Sequence, residues 1–139
     1  MRKTDILEVA GRKLAPFMFL FGLYLVSYGD TSPGGGFQGG VVIASGVILL
    51  VLGSNVTVAS ELFPTGRLAL TEALMFLLLI SLGVTGSLLG VGFLTSFLPS
   101  SASGLMRGTL FIYVLNLTIG IKVAAGTSLI CLHLFGDET

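Results

Sequence analysis

An all-α integral membrane protein with four transmembrane helices is the fold class this sequence predicts, and three observations predict it. Charge is scarce: Asp, Glu, Lys and Arg make up 10% of the 139 residues, where a soluble domain carries about 25%. Mean hydropathy is +1.01, with 53% hydrophobic residues. The apolar residues also gather into four runs that, with flanking residues, approach the ~20 needed to cross a bilayer. Lipid leaves helices as the spanning element, because backbone groups must be satisfied within the segment and the runs lack the alternation of a barrel strand.

The expected spans are 9–29, 36–55, 68–93 and 106–135, forming a single four-helix membrane domain over residues 1–139. The first has an apolar core from Leu14 to Tyr28 and an amphipathic lead-in reaching back toward Thr4. Thr4 is placed to cap it, with Asp5 in the first turn. Pro16 stands early enough in this helix to be tolerated or to bend it mildly. A cleaved leader is the rival reading of the same segment, since Arg2, Lys3, Arg12 and Lys13 precede the apolar core. However, Val26-Ser27-Tyr28-Gly29 offers no small-residue cleavage site, so retention as a span is expected.

The second span follows a nine-residue segment, Ser32-Pro33-Gly34-Gly35-Gly36-Phe37-Gln38-Gly39-Gly40, in which five residues lack a side chain. Backbone rather than side-chain chemistry meets whatever comes close there. Ser32-Pro33 starts a turn, and the glycines let the helix begin tight against a neighbour. The likeness to a phosphate-binding loop is superficial, because Val41-Val42 stands where a Walker motif needs Lys-Ser/Thr. Gly36, Gly40 and Ala44 on the second helix, and Gly83, Gly86, Ser87 and Gly90 on the third, present small residues at helical spacing. Such stripes let membrane helices approach closely, within this bundle or against another subunit.

Orientation follows from the basic residues. Arg2, Lys3, Arg12 and Lys13 precede the first span and Arg67 lies in the second loop, whereas Arg107 stands alone at the edge of the third. The positive-inside rule then predicts that both termini are cytoplasmic, with Asp137-Glu138 inside and the glycine segment outside. Seven basic residues against seven acidic ones give no bulk charge to hold nucleic acid. The single cysteine, Cys131, excludes an intrachain disulfide.

Two residues are out of place in an apolar setting. Lys122 lies deep in the fourth span, where a lysine costs about 2.5–3.5 kcal/mol on insertion scales. It must face protein, water or a counter-charge. Thr118 and Gly126, one turn to either side, give its face a narrow polar, uncrowded strip. Asn116 and Thr127 add polar groups elsewhere on that helix. Glu72 opens the third span. With a rise of about 1.5 Å per residue, Lys122 lies roughly 21 Å from the outer boundary and Glu72 roughly 6 Å from the inner one. In a core of about 30 Å these depths nearly coincide, so the two are candidates for a pair. Such a pair either fixes helix register or belongs to a chain of ionisable groups that carries protons or cations.

The other polar positions carry weaker signals. His133 and Cys131 are two residues apart, which puts them on nearly opposite faces of a helix and disfavours a shared metal. His133 reads as an interfacial histidine, a position where the ring is usually just solvated. Asp30 reads as a turn residue at the outer mouth, placed to attract cations. No nucleophile–base pairing and no HExxH spacing occurs, so no catalytic residue, metal ligand or cofactor site is expected in this chain.

The segment Tyr28-Gly29 followed by Ser32 to Gly40 resembles the signature of the MnhB/MrpB-like chain of the multisubunit sodium/proton antiporters. Related subunits occur in the membrane arms of energy-converting hydrogenases and sulfane-sulfur reductases. The resemblance covers essentially the whole chain, including Thr71-Glu72-Ala73 and the run from Asn116 to Gly126. Asp30 departs from it, since members often carry histidine there.

The resemblance implies a non-catalytic, multi-pass subunit of the cell membrane, with no cofactor of its own. It would sit among other small hydrophobic subunits and large antiporter-like ones in a complex that moves sodium, protons or both. The complex would work alone or be driven by a redox arm such as a membrane-bound hydrogenase. Glu72 and Lys122 are the ion-path or charge-pair candidates, with Asp30, Asn116, Thr118 and His133 secondary. Ser32, Pro33, Gly34, Gly35, Gly36, Phe37, Gly39 and Gly40 form the backbone and packing motif. The alternatives are a purely structural assembly subunit and an autonomous homo-oligomeric transporter; against the latter, the first span has no acidic residue in its apolar core.

Overall fold

The computed structural model describes residues 5–29, 31, 33–53, 61–90, 92–95 and 104–136, and among these the long apolar runs punctuated by glycine and proline form four long α-helices. They are α1 (Asp5–Ser27), α2 (Gly35–Gly53), α3 (Thr65–Leu88) and α4 (Gly104–Gly136). Each contains a segment long and apolar enough to cross a membrane. Thr4, Asp30, Ser32 and Asp137-Glu138 lie outside the described residues.

In space the helices stand in the order α1, α2, α4, α3, with α2 gripped between α1 and α4 and with α3 leaning chiefly on α4. The grip is made by adjacent glycines. A Cβ on Gly39 would meet the Gly22 carbonyl oxygen of α1 at 2.8 Å, and one on Gly40 would meet the Gly120 carbonyl oxygen of α4 at 2.5 Å. Close backbone approach is how membrane helices gain dispersion energy when lipid is as apolar as the side chains. The core is accordingly built from small and medium residues: Ala15, Ala44, Val47, Val51, Ala125 and Leu132 are all buried. Phe19, Phe63 and Leu68 close over the Val47–Val51–Leu132 cluster.

α1 runs unbroken through Pro16. It stops where Tyr28 and Gly29 donate back to Tyr24 and Val26. The chain then re-enters through Gly34 (φ +120°) and Gly35 (φ +54°), conformations that exact a steric cost from any residue with a Cβ. α3 begins on Pro64, whose carbonyl accepts the Arg67 and Leu68 N–H groups.

The third helix corrects the sequence reading at its far end. It stops at Leu88 rather than continuing to Phe93. Leu89 and Gly90 donate back to Thr85 and Ser87, and Gly90 (φ +75°) and Gly92 (φ +114°) turn the chain over. Hydropathy extends to Phe93, but the glycines end the helix first. Its small-residue stripe is likewise used differently from expectation. Gly83 and Gly86 are buried by the returning chain: Phe93 lies against Gly83, and the Gly92 carbonyl against Gly86. Gly90 lies outside the helix, and the stripe's two buried glycines face the loop.

Candidate functional site

Glu72 and Lys122 meet on the α3–α4 seam. Lys122 Nζ donates to Glu72 Oε1 at 3.5 Å. That is longer than the ~2.7–2.9 Å of a tight charge-assisted hydrogen bond, so the contact is a loose ion pair. The ammonium also stands 5.5 Å from the centroid of the Phe76 ring, within cation–π range. Phe76 follows Glu72 by four residues and so shares its face of α3. On α4, Gly126 leaves the space the carboxylate occupies: a Cβ there would lie 3.3 Å from Glu72 Cδ and Oε1.

The pair occupies a cleft of about 400 Å³ lined by Ala69, Glu72, Ala73, Phe76 and Lys122. These residues come from α3 and α4 alone, so the cleft opens sideways rather than into the bundle. The side chains of Lys122 and Glu72 are 31% and 36% exposed respectively. The opposite face of the same seam is different in character. There α1 and α3 flank an apolar groove of about 430 Å³, with Val47, Ala124, Ala125 and Ser128 among its lining. The charges therefore sit on one outward side of the molecule, and the apolar groove on the other.

The remaining sequence candidates separate. Thr118 is buried, and its hydroxyl donates to the Val114 carbonyl at 2.8 Å, so it is tied to its own helix. Of the two residues expected to flank Lys122, Gly126 meets Glu72 and the Thr118 hydroxyl is bound to its own helix. Asn116 acts apart from the pair, against the start of α2, where its Oδ1 accepts the Gly36 N–H at 3.3 Å. His133 is exposed, with Nδ1 3.0 Å from the Leu129 carbonyl, while Cys131 is buried. Among the described residues, no three His, Cys, Asp or Glu side chains gather as a metal site would require. Of the loop motif, Gly36, Gly39 and Gly40 are buried and Pro33, Gly34 and Phe37 exposed. Sequence reasoning missed Phe76 and the contact of Gly126 with Glu72; the four-residue spacings from Glu72 to Phe76 and from Lys122 to Gly126 were the available signals.

Four helices long and apolar enough to cross a membrane, with an ion pair bridging two of them, mark a multi-pass membrane protein. Comparison with known proteins makes this specific. Residues 6–129 match the family described as a domain related to the MnhB subunit of Na+/H+ antiporter, and the chain belongs to that family. It is similar to an uncharacterized protein of Methanocaldococcus jannaschii, at 34% identity over 135 residues, covering 90% of this chain and 50% of the other. It is also similar to the B-type chain of the Na(+)/H(+) antiporter of Bacillus subtilis, at 32% identity over 96 residues, covering 68% of this chain and 66% of that protein. The chain thus spans between half and about two thirds of the length of these curated relatives.

Proposed function

We propose that this chain is a non-catalytic membrane subunit of a multisubunit antiporter that exchanges sodium for protons, and that Glu72 and Lys122 line or tune its ion path. The observation that carries this reading is the loose ion pair at 3.5 Å, held in a lateral cleft within apolar helices. An ammonium at membrane depth is expensive unless compensated, and intramembrane ionisable groups mark ion routes and proton relays. Movement of the Lys122 ammonium toward or away from Glu72 would change the field that a passing cation meets in the cleft. In this reading both termini are cytoplasmic, in keeping with Arg2, Lys3, Arg12, Lys13 and Arg67 on one side. The other subunits are large antiporter-like chains and small hydrophobic ones, in a complex that works alone or under a redox arm.

A structural role is the second reading, favoured by the same contact, since a pair bridging α3 and α4 also fixes their register. Transport in everted vesicles containing the whole complex separates the two. Glu72→Gln and Lys122→Ala are expected to leave assembly intact while lowering sodium-dependent proton movement at least tenfold, a barrier change of about 1.4 kcal/mol. Full transport in both variants, or losses that track failed assembly, would leave the structural role standing.

A further inference from the structure

The side of the α3–α4 seam that carries the charges is unfinished in the single chain. Lys122 offers three donors, and its contacts among the described residues are one oxygen of Glu72 and the Phe76 ring. The pair is about one third exposed on a face that α1 and α2 do not reach. Hydrocarbon cannot satisfy these groups. Beside them, Ala69 and Ala73 are exposed one turn apart on α3 and line the same cleft. Two small residues at this spacing make a shallow groove in which another helix backbone can settle. Next to them, Leu70, Leu74 and Leu77 present large exposed apolar side chains. The groove therefore coincides with the charges.

We infer that this cleft seats a transmembrane helix of a different subunit, with small residues against Ala69 and Ala73 and one hydrogen-bonding side chain at the depth of Lys122. The inference rests on reading the chain as a subunit of a complex, and not on the pair having any role in transport. α3 suits this position because it leans chiefly on α4, and its own buried residues are Gly83 and Gly86 near the other end. The occupant is a helix rather than lipid because an acyl chain brings no partner for the ammonium or for the second carboxylate oxygen.

The test uses the assembled complex, purified from its native membrane and reconstituted in vesicles, with a nitroxide on Ala73→Cys. Ala69→Cys serves as the second variant should the first fail to assemble. A covered cleft gives an immobilised label shielded from both dissolved oxygen and a water-soluble nickel complex, with no spin–spin broadening. Ready collision with oxygen means lipid fills the cleft, collision with nickel means water does, and broadening means a second copy of this chain; each overturns the inference. In parallel, Ala73→Trp is expected to lower co-purification of the other subunits about tenfold or more, as loss of one close helix contact should. The isolated chain should keep its helix content and melting temperature, because Ala73 is exposed in it. Unchanged co-purification would also overturn the inference. Loss of transport in Glu72→Gln with the label still shielded would leave both the docking and the transport readings intact. Full transport with the label shielded would remove the transport reading alone.

Discussion

Asn116, in the middle of α4, caps a helix to which it does not belong: its Oδ1 accepts the N–H of Gly36 in the first turn of α2. A helix N-terminus leaves its first amides without intrahelical partners, and a side-chain acceptor normally comes from the residue just ahead. Here the preceding residues are glycines, so the acceptor is supplied across the bundle. Gly36 has to be glycine for this to work, because a Cβ there would collide with the Asn116 backbone carbonyl.

The first prediction follows from that cap. Asn116→Ala is expected to cost about 1 kcal/mol, the scale of one side-chain hydrogen bond in a membrane bundle or one helix cap. Asn116→Asp retains an acceptor and should lose less. Thermal unfolding of the purified protein in mild detergent, read by helical circular dichroism, measures both. Equal melting temperatures for Asn116→Ala and the parent would remove the cap from the account.

Gly126 gives the second prediction. An alanine at this position presses on Glu72 at 3.3 Å, which a small carboxylate shift relieves, whereas a valine places branches where the carboxylate now lies. Gly126→Ala should therefore be mild. Gly126→Val should mimic Glu72→Gln in vesicle transport without changing the amount of chain in the membrane. If valine is tolerated with full transport, the placement of Glu72 against Lys122 has no functional weight.

The third prediction concerns Gly40. A leucine there has to pass the Gly120 carbonyl and the Val123 side chain of α4, both backbone-anchored obstacles. Overpacking of this kind costs about 1–3 kcal/mol in well-packed cores, and more where backbone must move. Gly40→Leu is expected to remove most of the folded chain from the membrane, whereas Leu52→Val, at an exposed position of the same helix, should leave its level unchanged. Western quantification of membrane fractions decides it.

Much of this arrangement was legible in the residues. Hydropathy located all four helices, because lipid makes run length a direct measure of span. Counting depth along the third and fourth spans made Glu72 and Lys122 candidates for a pair, and the structure brings them together at 3.5 Å. The end of α3 was not legible, since the apolar run continues beyond Leu88 and the glycines that stop it act through positive φ, which hydropathy does not register. Thr118 shared helical spacing with Lys122, yet its hydroxyl turned to its own backbone, the usual recourse of threonine in a helix. The cap by Asn116 joins residues far apart in sequence, and no local pattern announces such a contact. Nor could one-dimensional depth indicate that the pair faces outward, because spacing fixes height along a helix and not which neighbour a face meets.

Gly39 and Gly40 are consecutive, and neighbouring residues on a helix point about 100° apart. A side chain grown at Gly39 would press on α1 and one grown at Gly40 on α4, so both close approaches of α2 hang on a single turn of its backbone.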